Sequence, residues 1–325
     1  MVTEGIVKGY ILPGLPHILM CPEKNAGWMK VRKAFDEVCT EVQNSGADLL
    51  VIYSTYWASI LGHQIQANPE PQWIHVDDQF HDLGSIPYKF KIDTDFAEVL
   101  KSKCEERGLH ARTINYEGFP IDTGSVVALK LINPDNKIPA VIVSSNIYSD
   151  RAESIVYGKA VADALKETGK KAVAIAISSL SNRLFTTEID PQQDKIHSLK
   201  DQEWNDKFLE LLSEGRLEDC SQLSRQFHRE ARVKKVTNFK PFWWLAAVMG
   251  QTNAYAGDIK AYAPMLGTGA AVISLTPGIE KASDLEYDEE DVEVFLGDRN
   301  VLDKNLPEQV GFPTQDLPVE VHSNE

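Results

Sequence analysis

Residues 5–54, GIVKGYILPGLPHILMCPEKNAGWMKVRKAFDEVCTEVQNSGADLLVIYS, hold two short apolar runs with one helical pattern between them. The runs GIVKGYIL (5–12) and ADLLVIYS (47–54) end in turn or polar residues and lack strict alternation, as strands covered on both faces do. Between them Trp28, Val31, Phe35, Val38 and Val42 recur at helical spacing, and Asn44-Ser45-Gly46 closes that helix. This is a β-α-β unit.

The same logic continues along the chain. DTDFAEVLKSKCEERG (93–108) reads as a capped helix with a glycine stop, PAVIVSSN (139–146) as a buried strand, AESIVYGKAVADALKETG (152–169) as a helix, and KAVAIAIS (171–178) as another buried strand. From 201 to 250 the pattern turns helical through EWNDKFLELLSEG, RLEDCSQLSRQFHREAR and PFWWLAAVMG, before YAPMLGTGAAVISL (262–275) returns to strand. The expected fold is a single α/β domain over residues 1–279, with a central mixed, mostly parallel sheet flanked by helices and a helical segment late in its order.

Charge divides the chain. The 325 residues carry a formal net charge of −15. Residues 280–325 contain 14 Asp and Glu against 3 Lys and Arg, a net −11, leaving −4 for residues 1–279. The C-terminal extension 280–325 is therefore expected to be a solvated, flexible acidic tail, although Leu285, Val292, Phe295 and Leu296 interrupt it. A body so close to neutral, with no Lys/Arg stripe, argues against a nucleic-acid partner. No apolar run has the length to span a bilayer and no basic, apolar leader opens the chain, so no membrane partner and a cytoplasmic location are expected. Cys21, Cys39, Cys104 and Cys220 show no paired or metal-ligand spacing, which indicates neither a disulfide framework nor a zinc site.

In open α/β sheets the functional residues collect on loops beyond the carboxyl ends of strands. Here those loops are PGLPH (13–17), STYW (54–57), SSN (144–146), SSLSN (178–182) and the GTG turn (267–269). PGLPH places a single histidine, His17, after the first strand.

Five segments occur in one order: PGLPH, YSTYWASILGH (53–63), YEGFPIDTGS (116–125), EIDPQQD (188–194) and GTGAAV (267–272). Together they resemble the class III extradiol ring-cleaving dioxygenases, the protocatechuate 4,5-dioxygenase superfamily, over roughly residues 5 to 275. The resemblance implies Fe(II) held by two imidazoles and a carboxylate, with open positions for an aromatic substrate and O₂. Carried over residue by residue, the first histidine position falls on Gly14, the second on Tyr56, and the glutamate on Ser274. Glycine has no donor, and a neutral phenol is a poor one beside imidazole. The acid-base histidine position falls on Asn182, which cannot titrate near neutral pH. A further pocket histidine is replaced by Lys130. His17 corresponds to a loop histidine that is not an iron ligand.

The resemblance thus implies no catalytic residue, no metal and no cofactor in this chain, and a degenerate pocket bounded by His17, Tyr56, Lys130, Asn182 and Ser274. Within the family the pattern is most similar to the non-catalytic alpha chain of hetero-oligomeric members that open 2-aminophenol-type rings. The implied partner is a homologous beta chain bearing Fe(II), in an assembly of two alpha and two beta chains, with the small aromatic substrate in the complex. Two other readings stand beside it. One is a self-sufficient iron enzyme with relocated ligands drawn from His17, His63 or the HVDDQFHD segment (75–82). The other is a small-molecule binding or regulatory protein derived from the fold.

Overall fold

The computed structural model describes residues 3–232 and 239–278, so the acidic extension 280–325 lies outside the described residues. In chain order the elements are β1 (Ile6–Leu12), α1 (His17–Met20), α2 (Ala26–Asn44), β2 (Leu49–Ser59), β3 (His63–Gln66), β4 (Gln72–His75), β5 (Ile86–Lys89), α3 (Thr94–Glu106), β6 (Ala111–Ile114), α4 (Thr123–Ile132), β7 (Ala140–Asn146), α5 (Arg151–Thr168), β8 (Ala172–Ile177), α6 (Leu199–Ser213), α7 (Leu217–Ala231), α8 (Lys240–Met249), β9 (Tyr255–Met265) and β10 (Thr268–Pro277).

Eight strands form one sheet in the order β6-β3-β7-β2-β8-β1-β10-β9, and β4 and β5 form a separate hairpin. The four central strands β7, β2, β8 and β1 are parallel, while β10 runs antiparallel to β1 and β9 antiparallel to β10. The mixed, mostly parallel sheet expected from the apolar runs is what the chain builds. Strand β8 slots between β1 and β2, so the first β-α-β unit leaves a gap that a later strand fills.

The central strands read as continuous apolar runs because successive side chains feed two different cores. Tyr53, Val51, Val143 and Ala174 face α3, α5, α6, α7 and α8, whereas Leu50, Ile52, Ile142 and Ile175 face α2 and α4. Every residue of β7 and β8 is buried. Helix ends follow their caps. The Asn25 side chain accepts from the N–H groups of Gly27 and Trp28, Asp93 from Phe96, and Asp150 from Glu153. Helix α5 stops at Gly169 in the left-handed conformation. Helices α6 to α8 form the expected late helical segment between β8 and β9.

One irregularity positions the site. Along the β2–β7 pair, Ser54 faces Ser144 but the next partner of Ser145 is Ala58, so Thr55, Tyr56 and Trp57 are extra residues that bulge from β2. The STYW segment expected as a loop is thus the bulged end of a strand. Among the described residues no helix is long and apolar enough to cross a membrane.

Candidate functional site

The carboxyl ends of β1, β2 and β8 converge with the start of α4, and the bulge turns the Tyr56 ring onto two glycines. A Cβ added at Gly14 would meet Tyr56 Cε2 at 2.6 Å, Ile177 Cγ2 at 2.7 Å and Gly124 Cα at 2.9 Å. A Cβ at Gly124 would meet Tyr56 Cδ2 at 2.6 Å. The aromatic ring therefore occupies the volume that a side chain at Gly14 would need. The bulge is pinned beneath: the Tyr56 N–H donates to Ser54 Oγ at 3.2 Å, and that hydroxyl donates to Asp122 Oδ1 at 2.5 Å. Asp122 also caps α4 by accepting from Ser125 N at 3.0 Å, and burial raises its carboxyl above the usual range.

What remains at the plugged position is a cavity of about 50 Å³, lined among others by Pro13, Gly14, Tyr56, Asn182 and Thr268. Of the residues grouped from the sequence, Gly14, Tyr56 and Asn182 do come together. The others are placed elsewhere. Ser274 pairs with Tyr10 in mid-strand, four residues before Gly14, or ~13 Å at the rise of an extended chain. Thr268, at the start of β10, is the residue of that strand that lines the cavity. Lys130 sits in the last turn of α4, ~10 Å along the helix axis from Thr123 at the site end.

His17 is the first residue of α1 and is buried, with its ring edge-to-face against Trp28 at 5.2 Å and Phe80 at 4.6 Å. Burial lowers its pKa to about 4, so it is a neutral ring in an apolar setting. His63 lies on the opposite side of the sheet, its Nε2 2.8 Å from Glu153 Oε1 and its ring on Tyr157. His75 Nε2 bonds Thr123 Oγ1 at 2.7 Å, and that hydroxyl donates to Asp77 Oδ2 at 2.5 Å. These histidines do not gather at one point, and among the described residues no three His, Cys, Asp or Glu side chains could hold a metal together.

The residues therefore do not fit an iron centre. At the position implied for it there is a glycine without a donor, an aromatic ring in the donor's place and an isoleucine methyl behind.

A second, larger cleft of about 630 Å³ opens on the other side of Tyr56. Tyr56 is 38% exposed, and it shares the lining with Trp57, Asp77, Phe80, Phe119 and Asp122. Sequence reasoning did not single out this cleft, because it is assembled from the β2 bulge, the segment after β4 and the loop before α4. One further residue holds the surroundings together. Asp194, in the EIDPQQD segment, accepts from Trp28 Nε1 at 2.9 Å, Leu266 N at 2.7 Å and Gly267 N at 3.1 Å, tying α2 to the β9–β10 turn.

Residues 9–273 match the family described as the catalytic LigB subunit of aromatic ring-opening dioxygenase. The chain belongs to this family. Two curated relatives from Pseudomonas sp. are equally similar in identity. The alpha subunit of 2-aminophenol 1,6-dioxygenase is 29% identical over 272 residues, covering 83% of this chain and 99% of the relative. The beta subunit is 29% identical over 291 residues, covering 84% and 94%. An Escherichia coli 3,4-dihydroxyphenylacetate 2,3-dioxygenase is 20% identical over 173 residues, covering 49% of this chain and 63% of the relative. In fold, the chain is similar to a crystal structure of an uncharacterized Escherichia coli K12 protein, with a TM-score of 0.56 and 13% identity over 82% of this chain and 99% of that one. The sequence resemblance and the family match agree.

Proposed function

We propose that this chain is the non-catalytic, alpha-type subunit of a hetero-oligomeric extradiol dioxygenase acting on 2-aminophenol-type rings. Its partner is a homologous beta-type chain that carries Fe(II), in a cytoplasmic assembly of two alpha and two beta chains. Identity alone does not choose between the subunit types, since both relatives stand at 29%. The observation that carries the reading is the Tyr56 ring in the space of a Gly14 side chain. A chain retaining an imidazole there would have no room for that ring. Asn182 in the residual cavity adds that no titrating group replaces the family's acid-base histidine. The role left to this chain is to bury apolar surface of its partner and hold the partner's loops in place.

The test is to purify the chain alone, under anaerobic conditions with Fe(II), and again after co-expression with a beta-type chain having the intact His, His and Glu pattern. The expected result is no bound iron and no oxygen uptake with 2-aminophenol for the chain alone, and an iron-containing, active complex of fourfold mass when co-expressed. One tightly held iron per isolated chain with ring cleavage overturns the reading.

A further inference from the structure

The larger cleft has a chemical character that the subunit role does not use. Its walls are aromatic: Trp57 and Phe119 stand with ring centroids 5.7 Å apart, and Phe80 shares the lining. Its charged groups are mainly carboxylates. Asp77 is fixed in place, with Oδ1 accepting from Gln79 N at 2.9 Å and Phe80 N at 2.8 Å and Oδ2 accepting from Thr123. Asp78 is exposed beside it. Asp122 lies below, its Oδ2 buried and accepting no hydrogen bond. Among the described residues none of these three carboxylates forms an ion pair with Lys or Arg. Among the described residues of the lining the guanidinium is that of Arg232, which lies over the Phe239 ring at 4.1 Å.

Carboxylates without counter-ions in a recess walled by rings favour one class of guest. A cation gains from the negative potential, and the faces of Trp and Phe attract a positive charge through their quadrupoles. A volume of about 630 Å³ is within the range of small-molecule sites. We propose that this cleft binds a small organic ammonium ion carrying an apolar or aromatic body, with the rings of Trp57, Phe80 and Phe119 against the body and Asp77 and Asp78 facing the charge. The site goes beyond the subunit reading and does not depend on it, because Trp57, Asp77, Asp78, Phe80 and Phe119 do not line the plugged position, although the two spaces share Leu15, Tyr56, Ser179 and Leu184 as a wall.

The test uses the full chain and three probes of similar shape: phenethylammonium, phenethyl alcohol and 3-phenylpropionate, titrated calorimetrically at neutral pH and low salt. The ammonium is expected to bind at least about tenfold more tightly than the alcohol, with the carboxylate weakest and the preference shrinking as salt rises. Asp78→Asn, at an exposed position, is expected to weaken the ammonium about threefold or more while leaving the alcohol unchanged. Trp57→Leu is expected to weaken ammonium and alcohol together. Equal binding of ammonium and alcohol, tighter binding of the carboxylate, no binding of the ammonium, or a folded Asp78→Asn with unaltered selectivity each overturns the proposal. Iron content and ring cleavage of the co-expressed complex report on the subunit reading separately.

Discussion

The ring of Tyr56 and the bare Cα of Gly14 are complementary: a Cβ at Gly14 would lie 2.6 Å from Tyr56 Cε2. Gly14→Ala is therefore expected to destabilise the fold by roughly 1 to 3 kcal/mol, the usual range for overpacking. Tyr56 is the nearest of three contacts, with Ile177 Cγ2 at 2.7 Å and Gly124 Cα at 2.9 Å behind it, so Tyr56→Ala should relieve part of the clash. The double variant is expected to be more stable than the sum of the single losses by about 1 kcal/mol or more. Urea denaturation of the four-protein cycle measures this, and simple additivity would show that the ring moves aside at no cost.

Ligand restoration should depend on which residue of β10 supplies the carboxylate. Gly14→His with Tyr56→His removes the plug and adds two imidazoles. Adding Thr268→Glu is expected to produce measurable Fe(II) binding, since Thr268 shares the cavity with Gly14 and Tyr56. Adding Ser274→Glu is expected to give none beyond the double variant, since Ser274 pairs with Tyr10. Anaerobic Fe(II) titration of the two triple variants, with the fold checked by circular dichroism, separates them. Ring cleavage should stay weak in both while Asn182 remains, as general acid-base steps typically contribute about 10² to 10⁴-fold.

Asp194→Ala strands an indole N–H and two backbone N–H groups that share its carboxylate. The expected cost is roughly 2 to 4 kcal/mol, in line with the penalty for unsatisfied donors. Asp194→Asn should lose less, since an amide oxygen can still accept. Chemical denaturation gives both numbers, and equal losses would mean that the charge, and not the geometry of acceptance, holds the turn.

His17 makes stability depend on pH in a defined window. Its folded pKa is lowered to about 4 by burial, below the value near 6.5 of an unfolded chain, so between these values the unfolded state binds more protons. Its contribution is fully present above about pH 6.5 and is lost as pH falls toward 4, by at most roughly 3 kcal/mol. The comparison is the pH dependence of unfolding free energy for wild type and His17→Phe. The variant should be flatter across that window, and superimposable slopes would show that the imidazole is not desolvated.

The sheet was legible because its central strands, residues 49–53, 140–143 and 172–177, are apolar on both faces, and flanking helices were legible from the spacing of Trp28, Val31, Phe35, Val38 and Val42 and from the cap at Asp93. Helix α4 was not. In TGSVVALKLI nearly every side chain is buried, so no periodic polar face marks it as a helix. Tyr56 and Gly14 could be named from local motifs, but their contact depends on a three-residue bulge that no spacing announces. Counting along β10 from the GTG turn reaches Ser274, which pairs with Tyr10 and does not reach the cavity, since position relative to β1 is set by strand register and not by distance from that turn. The cleft was invisible because Trp57, Asp77 and Phe119 belong to three separate segments.

The placement of β1 between β8 and β10 bears on how the polypeptide matures. Its parallel neighbour starts at residue 172 and its antiparallel neighbour at residue 268. During synthesis β1 thus has both edges unpaired until β8 is complete at residue 177, and one edge unpaired until β10 is complete at residue 277, and such high sequence separation slows folding. Truncation before β10 would leave the apolar edge of β1 open to other chains, which makes this pairing the step at which a nascent molecule escapes aggregation.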